Sequence, residues 1–195
     1  MYMTDLKVEA LKCEYRMNPL GIDIKKPRIS WKIQSDQRGT MQKAYQIQVV
    51  VDSDDFSDLL WDTGIIMSDE SIQIEYGGPE LKPRTRYFYR VKVWDNFECE
   101  SLWSDTAWWE TGLLHSTEWK AEWITPDTEE IDPLSEPAFL LRKEFKLKAG
   151  FISARIYGTG VGLYELYLNG ERVSDELLAP GWTSYHKRLQ TRHMM

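Results

Sequence analysis

The sequence predicts an all-β protein built from two consecutive β-sandwiches, and three observations indicate this fold class. Apolar and polar residues alternate with a period of two in several short runs, which is typical of strands with one buried face. Residues that favour turns separate these runs, and no stretch shows the pattern of an amphipathic helix of three turns or more. The 195 residues suffice for two domains of roughly 100 residues each.

Two long runs define the first half. Alternate residues of AYQIQVVVD form one apolar face, which consists of Tyr45, Ile47, Val49 and Val51. Alternate residues of RYFYRVKVWD form another, which consists of Tyr87, Tyr89, Val91 and Val93. Four shorter runs flank them: LKVEAL, RISWKI, LWDTGII and SIQIEY. About seven strands in about 110 residues is the size of a single β-sandwich.

The stretch LKPRTRYFYRVKVWD narrows the type of sandwich. It resembles the corner that leads into the sixth strand of fibronectin type III domains, where a tyrosine hydroxyl, here that of Tyr87, ties the loop back to the sheet. The later stretch SLWS resembles the same domains, in which a tryptophan stacks on cationic side chains of the next strand. We therefore predict a fibronectin type III-like, immunoglobulin-like sandwich over residues 1–113, with Trp103 stacked on Arg90 and Lys92.

The second half is expected to comprise residues 114–195. It contains a loop rich in proline and acidic residues, PDTEEIDPLSEP, before strands resume at AFLLRKEFKL and ISARIYG. The stretch YELYLNGERVSD predicts a hairpin, because Asn169-Gly170 can supply the two positive φ angles that a type I′ turn requires. This half is therefore predicted to be a β-domain as well.

Composition and charge exclude several classes of protein. The 24 basic and 31 acidic residues give a net charge of −7, which repels a polyanion, so we expect no nucleic-acid partner. No stretch has the pattern of a signal peptide or the length of a membrane span, so we expect a cytoplasmic chain without a membrane partner. Cys13 and Cys99 lack zinc-site spacing, and two free thiols are favoured over the alternative of a disulfide.

Three motifs that can carry chemistry have simpler explanations. The stretch YGTGVG resembles a phosphate-binding loop, but a strand rather than the required helix is predicted after it. Asp54-Asp55 and Glu129-Glu130 lie in predicted loops without EF-hand spacing and are expected to be solvated. The three histidines stand far apart without a nucleophile motif. We predict no catalytic residue, metal ligand or cofactor, with a calcium ion in the second half left open.

The nine tryptophans suggest a ligand class, because indole rings pack against the apolar faces of sugars. Those in or beside predicted strands are expected to be structural: Trp31, Trp61, Trp94, Trp108 and Trp109. Trp182 follows a Pro-Gly turn and is the one most readily placed near a ligand. If the second half binds sugar, the candidate residues cluster around the hairpin and this turn: Asn169, Asp175, Trp182 and Tyr185. Asn169 has the alternative role of forming the hairpin turn.

An ordered run of motifs resembles the N-terminal region of bacterial α-L-rhamnosidases and covers residues 11–188. Its parts are NPLGIDIKKPRISWKIQSDQRGTMQKAYQIQVV, WDTGII, LKPRTRYFYRVKVWD, SLWSD, WETGLL, WKAEWI and GLYELYLNGERVSDELLAPGWTSYHKR. The resemblance implies a fibronectin-like sandwich followed by a jelly-roll sandwich of carbohydrate-binding type. In that family two glutamates of an (α/α)6 barrel hydrolyse terminal α-L-rhamnosyl groups with inversion. Nothing in this sequence matches the barrel, so the chain alone is expected to be inactive.

The last residues do not continue the family pattern. After SYHKR the family typically has a strand of the form aromatic, Gln, Thr, Tyr, Asp, Val, Thr, whereas this chain reads LQTRHMM. We therefore expect a jelly roll that is truncated before its later strands, with unpaired sheet edges that favour self-association. One hypothesis is that His193, Met194 and Met195 are an out-of-frame reading of the missing strand. The family's Thr-Tyr-Asp can be encoded ACA TAT GAT followed by G, and the same bases read in a shifted frame contain CAT ATG ATG, which encodes His-Met-Met.

Three functional hypotheses follow. The first is the non-catalytic N-terminal part of an α-L-rhamnosidase, which positions, stabilises or adds sugar affinity to a barrel. The alternative is a free-standing module that binds rhamnosyl glycans, and the DNA sequence after Thr191 distinguishes these two. The third is a protein-binding fibronectin-like adaptor, which only the first half favours.

Overall fold

The computed structural model describes residues 6–126, 138–151 and 153–194, and the first half is a sandwich of two antiparallel sheets. Its strands are β1 (Lys7–Cys13), β2 (Arg28–Gln34), β3 (Gln42–Val51), β4 (Trp61–Asp62), β5 (Ile74–Glu75), β6 (Arg86–Asp95) and β7 (Ala107–Glu110). One sheet has the order β1-β2-β5 and the other β4-β3-β6-β7. These seven strands confirm the predicted β-sandwich.

The central pair of the larger sheet, β3 and β6, has the predicted alternation. The two strands pair from Gln42 opposite Asp95 to Val51 opposite Tyr87, with an irregularity between Gln42 and Ala44. The predicted inward faces are buried, except that Val51 is half-buried. Period-two patterning identified these faces because successive strand residues point to opposite sides of a sheet.

Trp109 on β7 lies at the centre of the core and is fully buried. Its ring centroid is 5.4 Å from those of Tyr87 and Tyr89 and 5.9 Å from that of Tyr76. Trp31 is also buried, as predicted, and the other strand tryptophans, Trp61, Trp94 and Trp108, are half-buried. The aromatic residues of this half therefore serve mainly to fill the sandwich.

Both fibronectin-like features of the first half are confirmed. The Lys82 backbone N–H donates a hydrogen bond of 2.7 Å to the Tyr87 hydroxyl oxygen, which ties the loop to the sheet. The Trp103 ring centroid lies 4.4 Å from the Arg90 guanidinium carbon and 5.0 Å from Lys92 Nζ. Cys13 and Cys99 are free thiols.

The second half consists of short strands: β8 (Ile156–Gly158), β9 (Tyr167–Leu168), β10 (Glu171–Arg172) and β11 (Arg192–Met194). Strands β9 and β10 form the predicted hairpin. Asn169 and Gly170 at its turn have φ angles of 52° and 86°, as a type I′ turn requires. A single 3₁₀ turn, Ser116–Glu118, follows the first sandwich.

The structure corrects two predictions for the second half. The stretch AFLLRKEFKL contains no strand among its residues 138–147, which are exposed, because alternation alone does not provide a partner for the backbone. Arg192–Met194, expected not to continue the fold, forms β11 and pairs antiparallel with β8. Of residues 153–158 in the predicted strand ISARIYG, the last three form β8. Residues 127–137 of the predicted acidic loop, with Glu129-Glu130, lie outside the described residues.

A buried ion cluster joins the two halves at Glu110 on β7. Its carboxylate accepts hydrogen bonds of 2.6 and 2.8 Å from Arg155, which precedes β8. It also accepts bonds of 3.1 and 2.9 Å from Arg86 on β6. Burial would raise the pKa of Glu110, but the hydrogen bonds and charges of Arg155 and Arg86 outweigh this effect and lower the pKa below its ordinary value.

The core belongs almost entirely to the first half, and we expect this difference to appear in hydrogen exchange. The main buried cluster lies between Leu6 and Trp109, whereas the buried apolar residues among 138–151 and 153–194 are Ala179, Pro180 and Met194. Amides of β8 to β11 should therefore exchange faster than those of β3 and β6. Mass spectrometry with deuterium labelling would measure both sets in one sample.

Association with a second copy through unpaired sheet edges would also protect the second half, so the oligomeric state must be measured in parallel by analytical ultracentrifugation. Equally high protection of both halves in a proven monomer would contradict the expectation.

Candidate functional site

The exposed aromatic residues of the second half form a pair at Trp182 and Tyr185. Their ring centroids lie 5.7 Å apart, with an angle of 50° between the ring planes. Trp182 is 77% exposed, and Tyr185 is half-buried. The backbone N–H of Gly162 donates a hydrogen bond of 3.0 Å to the Tyr185 hydroxyl oxygen. The pair is an open apolar surface with one anchored ring, a form that can pack against the face of a sugar.

Short local hydrogen bonds close the turn that carries this pair. The Thr183 hydroxyl donates a bond of 2.7 Å to the backbone oxygen of Arg188, and the Arg188 N–H donates one of 3.0 Å to the backbone oxygen of Ser184. The residues that directly follow Trp182 thereby form a closed local turn.

Asn169 and Asp175 are the other two predicted sugar-binding residues. Asn169 occupies the hairpin turn with a positive φ, which matches its alternative role. Asp175 is exposed after β10. In the part of the chain that the structure describes, no hydrogen bond or ring contact joins Asn169 or Asp175 to Trp182 or Tyr185. The structure therefore brings together two of the four predicted residues.

A polar cleft of about 320 Å³ lies between the two halves, and no sequence pattern predicts it. One wall comes from the β1–β2 loop and the segment after β7, and the other from residues 188–193. The lining residues are Gly21, Asp23, Leu113, Arg188, Leu189, Gln190, Thr191, Arg192 and His193. Residues so far apart in the chain leave no pattern that sequence reasoning could detect.

The described residues contain no group of three or more His, Cys, Asp or Glu side chains placed to hold a metal ion. Glu110 is a buried carboxylate that contacts the second half, but two arginines neutralise it and its pKa is lowered. A general acid needs a raised pKa, so this carboxylate suits a structural role. Over the same described residues, no helix is long and apolar enough to cross a membrane.

Two family models match the chain in the order of its halves. A model described as the Rha78A-like, N-terminal immunoglobulin domain matches residues 8–115. This chain belongs to that family. The α-L-rhamnosidase N-terminal domain model matches residues 150–194 of the same Rha78A-like chain. The two matches confirm the resemblance to the N-terminal region of α-L-rhamnosidases and the all-β fold class.

Curated relatives of the Rha78A-like chain are α-L-rhamnosidases. One from an Alteromonas species is 39% identical over 188 residues, which cover 90% of this chain and 20% of the relative. One from Streptomyces avermitilis is 44% identical over 124 residues, or 63% of this chain and 12% of the relative. The chain thus spans about a fifth or less of the length of these relatives.

Solved structures of α-L-rhamnosidases have the same fold in this region. The enzyme from Dictyoglumus thermophilum superposes with a TM-score of 0.85 at 36% identity, over 96% of this chain and 23% of that enzyme. The Streptomyces avermitilis enzyme complexed with L-rhamnose gives a TM-score of 0.61 at 31% identity, over 96% of this chain and 20% of that enzyme. The architecture of the Rha78A-like chain is that of the corresponding part of these enzymes.

Proposed function

We propose that this chain forms the accessory β-domains of an α-L-rhamnosidase, an enzyme that hydrolyses terminal α-L-rhamnosyl groups. The observation that carries the proposal is the pair of consecutive family matches, at residues 8–115 and 150–194. The chain would support a catalytic domain and add sugar affinity to it, rather than perform hydrolysis. Glu110 is held by Arg86 and Arg155, which suits a structural rather than a catalytic carboxylate.

The sugar contact in this proposal is the pair of Trp182 and Tyr185. Trp182 offers a largely exposed indole face, and Tyr185 is held in place by Gly162. A rhamnose ring has an apolar C–H face and several hydroxyls, so it can pack on the indole while it bonds to nearby polar groups.

Replacement of Trp182 tests this contact. We expect the 195-residue chain to bind L-rhamnose in calorimetric titration, and we expect Trp182→Ala to weaken binding at the turn around Trp182 at least tenfold, measured at the backbone amides of that turn, because the stacking surface is removed. Trp123→Ala is the matched control, since Trp123 is also exposed, at 64%, but lies in the segment after the first sandwich. Equal losses in both variants would contradict a specific role for Trp182.

A hydrolysis assay on the same sample tests the accessory role. We expect no turnover of p-nitrophenyl α-L-rhamnoside, because the chain covers only 20% and 12% of the length of the two α-L-rhamnosidases compared above, and the family resemblance places the catalytic glutamates in a barrel that nothing in this sequence matches. Turnover that follows the purified chain through successive columns would overturn the assignment to an accessory part.

A further inference from the structure

We propose that the polar cleft between the two halves is a separate binding site for a neutral saccharide. This inference goes beyond the contact at Trp182, and it rests on the proposed function only for the choice of probe sugar. The cleft lies between two β-domains, which is a common location for ligand sites, and its volume of about 320 Å³ suits a small ligand.

The side chain of His193 lines the cleft where the two halves meet. The ring of this β11 residue lies against Gly21 and Gly112 of the first half, where a Cβ atom at either glycine would overlap it. Gly21 also has a φ of 74°, which favours glycine. The ring contacts Tyr157 of β8 edge-on, with centroids 4.6 Å apart. Contacts of the His193 ring therefore hold the two walls in a defined arrangement.

Three polar side chains line this cleft from the two halves. Asp23 belongs to the first half, and Arg188 and Gln190 belong to the second. Among the residues that the structure describes, none of these three side chains makes a hydrogen bond or an ion pair. A carboxylate only accepts, a guanidinium only donates and an amide does both, so the three together can satisfy hydroxyl groups, which donate and accept.

The charges of the cleft balance, which favours a neutral ligand over an anion. Asp23 offsets Arg188, and Arg192 forms an ion pair with Glu176, with 3.1 Å between Nε and Oε2. Burial lowers the pKa of His193, so its ring is neutral at pH 7. The apolar side chains of Leu113 and Leu189 complete the lining and can contact the C–H face of a sugar ring.

A titration followed by two-dimensional ¹H–¹⁵N NMR tests the site on the full 195-residue chain. The probes are L-rhamnose and 6-O-α-L-rhamnosyl-D-glucose. We expect saturable shifts at the backbone amides of Asp23, Leu113, Gln190 and Thr191. Shifts confined to the turn around Trp182, or no saturable shifts at all, would overturn the proposal.

Substitutions assign the binding to particular side chains. We expect Asp23→Asn and Arg188→Gln each to weaken the cleft response about tenfold, because each removes a charged hydrogen-bond partner. Asp54→Asn, an exposed acid elsewhere in the first half, is the matched control and should leave the affinity unchanged. Unchanged affinity in both cleft variants would contradict the site.

Trp182→Ala separates this proposal from the earlier one. The cleft response should persist in that variant, whereas shifts at the turn should disappear. A cleft response that disappears together with Trp182 would mean that the cleft is not an independent site. The accessory role is judged by the hydrolysis assay, so the two proposals can fail separately.

Discussion

Glu110→Ala is expected to lower the free energy of unfolding by about 3–5 kcal/mol, the usual result when one partner of a buried ion pair is removed. The carboxylate binds Arg155 and Arg86, whose side chains are largely buried, and the substitution removes the acceptor that these two guanidinium groups share. Arg155 belongs to the second half, so the substitution should also loosen the contact between the halves.

Urea denaturation of the variant and the parent chain measures this loss. Glu100→Ala is the matched control, because Glu100 also pairs with a basic side chain, Lys92, but its own side chain is 50% exposed. We expect the control to cost less than about 1 kcal/mol. Similar costs for the two substitutions would contradict the role of Glu110 as a buried junction.

The pH dependence of stability gives an independent check on Glu110. Its pKa is lower in the folded chain than its ordinary value of 4.5, so the folded state gains stability above that pH and loses it as the pH falls. The difference in unfolding free energy between the parent chain and Glu110→Ala should therefore shrink below about pH 4.5. A difference that stays constant down to pH 3 would exclude this electrostatic contribution.

Trp109→Ala is expected to be about as costly, at roughly 3–5 kcal/mol, because it opens a cavity in the centre of the sandwich. The indole ring is fully buried among Tyr76, Tyr87 and Tyr89, and these rigid rings cannot easily collapse into the vacated space. Thermal unfolding monitored by circular dichroism would show the loss as a marked fall in melting temperature.

The adjacent residue supplies the control for this core substitution. Trp108 is half-buried on the opposite face of β7, and its ring lies 4.1 Å from the guanidinium carbon of Arg86. Loss of that cation–π contact should cost about 1 kcal/mol. If Trp108→Ala were as damaging as Trp109→Ala, the assignment of inward and outward faces on β7 would be wrong.

The first half could be predicted from sequence because its structure follows from local patterns. The alternating faces of β3 and β6, the Tyr87 corner and the stacking of Trp103 each depend on residues a few positions apart or on a recognisable motif. The hairpin at Asn169-Gly170 is equally local. Its two residues supply the positive φ angles that close the turn.

The candidate sites were predicted less completely. An exposed Trp182 followed from its place after a Pro-Gly turn, and the structure adds its contact with Tyr185. Among the described residues, no hydrogen bond or ring contact joins Asn169 or Asp175 to that pair, and nearness in sequence within a loop-rich segment could not decide this.

By itself, the sequence determined the fold class, the inward faces of the first sandwich, the hairpin and the family. Only the tertiary structure decided that residues 138–147 stay unpaired, that Arg192–Met194 forms β11 on β8, and that Asp23 and Arg188 line one cleft. The physical reason is that periodicity and turn chemistry act between neighbours in the chain. Strand pairing, the Glu110 ion cluster and the cleft each require partners that only folding brings together.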